Sequence, residues 1–152
     1  MVIILLESES SMDNPSFDWN KTQYREDGKV LLLYRHERIF DEGLVKPGNI
    51  VLDVGGWGHL TERILQEGAK CIVWDKFTND QYFSHRVKEH PHMAVDICTA
   101  DVLAYTHKDV FDVVCCFETL EHVDNQKSAV RNMHSVCKPG GFFVGTVPIP
   151  GF

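Results

Sequence analysis

The stretch VLDVGGWGHLTERIL, from Val51 to Leu65, carries three local signals in succession. Ile50 to Val54 is a short, apolar, β-branched run, which predicts a strand buried on both faces. Gly55, Gly56 and Gly58 come next and predict a sharp turn whose backbone lets a ligand approach without Cβ atoms in the way. From Leu60 to Gln66 the apolar spacing predicts a helix, and its first turn offers N–H donors that favour a negative group. Trp57 stands inside the turn, where a small residue is expected; it either walls a pocket or fills it. A tight strand-to-helix turn with no ligand at all accounts for the glycines equally well.

Working outward, the alternation continues. Lys29 to Leu44 has apolar residues at Val30, Leu31, Leu33, Tyr34, Ile39, Phe40 and Leu44, a helical stripe ended by Gly43 and the turn at Lys46-Pro47-Gly48. After Gly68, Lys70 to Trp74 predicts a second strand ending in Asp75. Gln81 to Glu89 suits a helix or an irregular crossover, and Met93 to Cys98 a third strand. Phe111 to Phe117 is the most apolar strand. Asn125 to Cys137 predicts an amphipathic helix, closed by Lys138-Pro139-Gly140-Gly141 and followed by a last strand, Phe142 to Val147. Strands alternating with helices in this way imply an α/β domain with an open, mostly parallel sheet of about five strands and helices on both faces. In such sheets a ligand lies beyond the carboxyl ends of the strands, where strand order reverses.

The chain has 152 residues, 43% hydrophobic and 24% charged, which suits one globular domain. Residues 1–28 are read as a polar, turn-rich lead-in or lid, and 29–152 as the α/β domain. A formal charge of −7 and a pI near 5.5 argue against nucleic acid as a partner. The five cysteines, Cys71, Cys98, Cys115, Cys116 and Cys137, show no C-x-x-C spacing and read as small buried hydrophobes in a reducing compartment. The opening MVIILLESES is too short for a signal peptide or a membrane span, so a cytoplasmic protein is expected.

Asp75 changes the weight of the glycine turn. An acid at the tip of the second strand, about 20 residues past the turn, is where the ribose hydroxyls of a nucleoside cofactor are held; otherwise it caps the next element. Asp101, after the third strand, is a candidate to accept a hydrogen bond from an adenine amine, with Asp96 competing. On one helical turn, Glu118, Glu121 and His122 share a face. They can grip a hard divalent ion, or His122 can act as general base toward a phenol or catechol oxygen. Trp57, Trp74 and Phe117 can line a water-poor pocket, although core packing is the commoner fate of aromatic rings.

VLDVGGWGHLT, VWD, TADVLAY, FDVVCCFETLEHV and VCKPGGFFVGTVP, taken together and in this order, resemble the class I S-adenosylmethionine-dependent methyltransferases. Within them the likeness is to the small-molecule branch that includes the ubiquinone-biosynthesis O-methyltransferases, and it runs from about Tyr34 to Pro148. The resemblance implies a Rossmann-like fold and S-adenosylmethionine as cofactor. It places Gly55, Gly56 and Gly58, in the motif opened by Asp53, near the methionine moiety, Asp75 on the ribose, Asp101 beside the adenine and Phe117 against the cofactor. Arg35 matches an arginine that helps bind the cofactor, plausibly at its carboxylate; a surface role, with Arg38 as the other candidate, is the competing reading. In the similar enzymes the E-x-x-E-H set is associated with magnesium, which implies Mg2+ at Glu118, Glu121 and His122. Many relatives with LEH here need no metal and use these side chains to cap the helix and shape the pocket.

The chain departs from the family pattern in two ways. Its turn, Asp53-Val54-Gly55-Gly56-Trp57-Gly58, is one residue shorter than D-x-G-x-G-x-G, and the two strands that follow the fifth in the family are missing. The last strand is therefore expected to be an apolar edge, with three explanations open: the domain is incomplete at its C-terminus as an excerpt of a longer chain, a partner or second copy covers the edge, or the protein is a reduced, inactive relative. The expected activity is methyl transfer to a small molecule, to oxygen first, then to carbon or nitrogen, with Glu118 and His122 as catalytic candidates. No Asn-Pro-Pro-Tyr motif follows Phe117, which disfavours a nucleobase amine as acceptor. A non-catalytic binding or assembly module on the same fold is the alternative. A nicotinamide dehydrogenase leaves the FETLEHV and KPGG blocks without a place.

Overall fold

The computed structural model describes residues 2–5, 29–56, 58–76, 92–94, 97–98 and 108–147. In chain order these form β1 (Val2–Leu5), α1 (Lys29–Asp41), β2 (Ile50–Val54), α2 (His59–Gln66), β3 (Lys70–Asp75), β4 (His92–Ala94), β5 (Phe111–Phe117), a 3-10 turn (Leu120–His122), α3 (Gln126–Val136) and β6 (Cys137–Thr146). The expected helix or crossover at Gln81 to Glu89, together with Trp57, Asp96 and Asp101, lies outside the described residues.

The six strands run in the order β1-β6-β5-β2-β3-β4, and every neighbouring pair is parallel. From β2 the chain proceeds through β3 and β4 to one side, then crosses back to place β5 and β6 on the other. The reversal lies between β2 and β5. Burial on both faces explains the continuous apolar runs. Val51, Val113 and Val144 pack on one face with Ile39 of α1 and with Leu60 and Ile64 of α2. Leu52, Val114 and Phe143 pack on the other with Ala129, Met133 and Val136 of α3. The helix α3 starts where Asn125 Oδ1 accepts the Ser128 N–H at 3.0 Å, a side-chain N-cap.

Three expectations are revised. Of the strand expected over Met93 to Cys98, the described part is His92–Ala94, and Ile97 and Cys98 form a turn instead. Beyond it Ile97 is buried, and its carbonyl accepts a 2.7 Å hydrogen bond from the buried Asn132 amide of α3. The KPGG turn is absorbed into β6: Phe111 faces Cys137 and Val113 faces Phe142, so the residues between bulge out of register, with Gly140 at φ 80°. The expected apolar edge is paired within the chain, because Val2 to Leu5 lie in register with Phe142 to Gly145. The sheet accordingly has six described strands rather than about five.

All five cysteines are free; four are buried, and burial pushes the Cys116 thiol up to about 12. Among the described residues no helix is long and apolar enough to cross a membrane.

Gly145 tests the packing of the central strands. A Cβ there would stand 2.3 Å from the Cys116 carbonyl oxygen of β5, a backbone atom that cannot swing aside. Gly145→Ala is expected to lower the stability by about 1–3 kcal/mol, read as a shift of the urea midpoint. An unchanged midpoint contradicts this packing.

Candidate functional site

The carboxyl ends of β2 and β5 meet at the strand-order reversal, where the chain leaves β2 through a constrained passage. The Gly55 N–H donates to the Trp74 carbonyl at 2.8 Å, and Gly55 takes the left-handed φ of 72°. A Cβ on Gly55 would lie 2.2 Å from Thr119 Oγ1, and one on Gly56 2.4 Å from Asp53 Oδ2. The protein's own side chains therefore leave no room for a Cβ at either glycine. Gly58 differs: its φ is 90°, its Cβ direction is open, and as N-cap of α2 it provides no side-chain hydrogen bond.

Above this passage lies a cavity of about 290 Å3 lined by His36, Asp53, Gly55, Gly56, Leu60, Phe117, Glu118 and His122. That is near the lower limit, about 300 Å3, of small-molecule pockets. Asp53 is 2% exposed, and its Oδ2 accepts the Thr61 hydroxyl at 2.8 Å. Burial pushes its carboxyl up to about 6 against the opposing pull of that hydrogen bond. His36 of α1 is also buried; its ring meets Phe117 edge-on at 4.8 Å and stacks on His59 at 5.9 Å. Burial, with His59 and Arg35 nearby, lowers it to about 4, so the imidazole is neutral at pH 7. Glu118 follows β5 at φ 51°, a left-handed conformation that costs energy for a residue with a Cβ. Thr146 sustains it from both sides, its carbonyl accepting the Glu118 N–H at 3.2 Å and its hydroxyl donating to Oε1 at 2.7 Å. Arg35 completes the arrangement by ion-pairing with the same oxygen.

A profile described as "Methyltransferase domain" matches residues 52–145, well over half the chain. The ubiquinone biosynthesis O-methyltransferase of Pseudomonas paraeruginosa (strain DSM 24068 / PA7) is 37% identical over 111 residues, covering 70% of this chain and 48% of that protein. The chain belongs to the class I S-adenosylmethionine-dependent methyltransferases. It spans about half the length of the curated relatives it matches. Among solved structures, the 1,6-didemethyltoxoflavin-N1-methyltransferase of Burkholderia thailandensis, with bound 1,6-didemethyltoxoflavin and S-adenosylhomocysteine, superposes with a TM-score of 0.56 at 20% identity, over 78% of this chain and 55% of that one. The [4+2]-cyclase SpnF superposes at 0.59 and 18% identity, over 80% of this chain and 48% of its own. These likenesses establish the shared Rossmann-like fold.

The methyltransferase residues expected from sequence fall into three groups. Asp53, Gly55, Gly56, Phe117, Glu118 and His122 line one cavity, Gly58 adjoins it, and Arg35 reaches it through Glu118. Arg38 is turned to Glu42 on an exposed face, which separates the two arginines. Asp75, half-buried, ends β3 on the other side of β2, and Asp101 lies outside the described residues. Trp74 is not a pocket wall: it is 1% exposed and packs edge-on to Phe111 at 5.6 Å.

The metal reading is corrected. Among the described residues no group of three His, Cys, Asp or Glu side chains is placed to hold an ion. The left-handed φ of Glu118 and the tighter 3-10 turn after it break the shared helical face. Glu118 turns to Arg35 and Thr146, while His122, mostly exposed, stands 3.8 Å from Glu121.

The sequence reading passed over His36, Thr61, Thr119 and Thr146. For His36 a signal existed, since it precedes the buried Ile39 by three positions on the same helical stripe.

The raised Asp53 carboxyl has a stability consequence. Between about pH 4 and 6 the folded chain keeps a proton that the unfolded chain loses, so stability falls as pH rises through that window. By neutral pH the loss is on the order of 3 kcal/mol, at about 1.4 per pKa unit. Asp53→Asn, which keeps an acceptor for Thr61, is expected to be more stable than the parent at pH 7.5 and equal to it at pH 4. Denaturation midpoints at the two pH values check this, and a gap independent of pH contradicts it.

Proposed function

We propose that this protein transfers the methyl group of S-adenosylmethionine to an oxygen of a small-molecule acceptor in the cytoplasm. The observation that carries the reading is the cavity at the strand-order reversal, bounded by the glycine turn and flanked across β2 by Asp75. The donor set fits a cationic cofactor. Asp53 and Glu118 bring two carboxylates to the wall against the one guanidinium of Arg35, and Phe117 and Leu60 add apolar surface. The relatives named ubiquinone biosynthesis O-methyltransferase support oxygen as the acceptor atom.

Bound S-adenosylmethionine supplies an electrophilic methyl whose carbon–sulfur bond breaks as the carbon–oxygen bond forms, leaving a neutral thioether. The chain's own part is mainly placement, which at its ideal limit removes roughly 7–11 kcal/mol of barrier. Asp75 takes the ribose hydroxyls and Asp101 the adenine amine. Phe117 and Leu60 exclude water beside the reacting centre, where a positive charge disappears. His122, on the cavity wall yet open to solvent, accepts the proton of the acceptor hydroxyl. Glu118 positions Arg35 rather than touching the reacting atoms.

One observation favours the second reading, a non-catalytic module. Glu118 already occupies the guanidinium that the resemblance assigns to the cofactor's carboxylate.

Calorimetry separates the two. The methyltransferase reading expects S-adenosylmethionine to bind with an affinity of micromolar order, and Asp75→Ala to weaken it at least about 30-fold, the loss of charge-assisted ribose contacts. No heat at millimolar cofactor overturns the reading in favour of the module.

A further inference from the structure

Asp53 is a buried carboxylate without a counter-ion. It stands next to last in β2, beside the cavity, and is 2% exposed; its one hydrogen bond comes from the Thr61 hydroxyl. Among the described residues no cation pairs with it, and the guanidinium of Arg35 is held by Glu118. The groups packed around it are neutral or engaged. Cys71 on β3 and Cys115 and Cys116 on β5 feel its charge, and burial raises all three thiols, so they carry none themselves. From α1 comes His36, neutral at pH 7, and from α2 the uncharged Thr61, with His59 stacked on His36. Glu118 and His122 share the cavity from the far end of β5. Buried charges are ordinarily paired, because an unpaired one opposes folding. A carboxylate left this way beside a cavity gains its partner when the ligand brings the positive charge.

We propose that Asp53 is a specificity-determining residue, the one that makes this cavity prefer the cationic sulfonium cofactor to its neutral thioether product. This deepens the methyltransferase reading above and rests on it. The effect needs no contact between carboxylate and sulfur, since charges in a low-dielectric interior act on one another over several ångströms. Methyl transfer removes the positive charge, so the carboxylate that holds the cofactor ceases to hold S-adenosylhomocysteine. The amino-acid and adenosine parts are common to both and do not enter the difference. By reciprocity the cation favours the ionised carboxylate. Burial holds the free carboxyl up at about 6, so the preference is full well above that pH and fades below it, where Asp53 is protonated.

The test is the ratio of the S-adenosylhomocysteine and S-adenosylmethionine dissociation constants, read by calorimetry on the full chain at pH 7.5 and pH 5. Asp53→Asn removes the charge and keeps an acceptor for Thr61, and His122→Gln removes the exposed imidazole of the cavity wall. At pH 7.5 the ratio is expected to fall about tenfold in Asp53→Asn, nearly all of it from weaker S-adenosylmethionine binding, the size of one partly screened charge pair. Moving to pH 5 is expected to remove most of the preference in the parent and in His122→Gln, and to change nothing in Asp53→Asn. The pH series in the parent and His122→Gln thus reads the same effect without altering Asp53. Equal ratios in Asp53→Asn and the parent overturn the proposal. So does an equal loss for both ligands, which marks a change of shape, or a pH dependence that survives in Asp53→Asn or vanishes in His122→Gln. A parent that binds neither ligand overturns the methyltransferase reading itself. A parent that binds both, with a ratio that neither pH nor Asp53→Asn moves, leaves that reading standing and removes this inference alone.

Discussion

The backbone leaving β2 passes between two side chains that it almost touches, the Thr119 hydroxyl on the β5 side and the carboxylate of Asp53 beneath it. Neither Gly55 nor Gly56 has room for a Cβ. Much of the site depends on that passage. Thr119 donates toward the carbonyls of Val54 and Phe117, tying the end of β5 to the end of β2. Asp53 accepts from Thr61 and so ties β2 to the first turn of α2. The turn is thereby pinned from both neighbours before any ligand arrives. The crevice keeps its shape at the cost of a buried carboxylate whose ionisation opposes folding.

A second constraint acts across the same crevice. Glu118 stands in a backbone conformation it would not choose alone, and three contacts from two directions keep it there: two from Thr146 on β6 and one from Arg35 on α1. The Arg35 side chain is 12% exposed and that of Glu118 30%, so the pair is shielded enough to matter more than a surface ion pair. Through it α1 is fastened to the sheet at the cavity rim, in addition to the apolar contact of Ile39. A ligand carboxylate that draws Arg35 away leaves Glu118 with Thr146 alone.

The main strands could be read from residue type because they are buried on both faces. Phe111 to Phe117 and Ile50 to Val54 are apolar except for Asp112 and Asp53, and their boundaries agree with the sequence. The parts that misled were those where tertiary contacts override local pattern. Met93 to Cys98 looks like a strand until Asn132 claims the Ile97 carbonyl. Glu118, Glu121 and His122 share a face only on a regular helix, and the left-handed Glu118 removes that premise. The glycines marked the site for a reason that residue type does not disclose, since the identity of what crowds them, Thr119 from more than sixty residues away, is a property of the fold. His36 escaped notice because a histidine on a helical stripe usually reads as surface or core.

The sheet edges show the same dependence on long-range pairing. β6 has ten residues, and left unpaired on this side it would present a long row of unmet N–H and C=O groups, a template for association. Val2 to Leu5 takes up the portion from Phe142 to Gly145, so among the described residues the outermost strand on that side has four residues, and β4 on the other side has three. Short edge strands leave little backbone free to recruit another chain. The parallel sense of β1 has a further effect. Leu5 reaches the level of Gly145, one residue before Thr146, whose hydroxyl and carbonyl fix Glu118. The strand that shields the edge also buttresses β6 at the height of the cavity, and edge protection and site geometry are met by the same four residues.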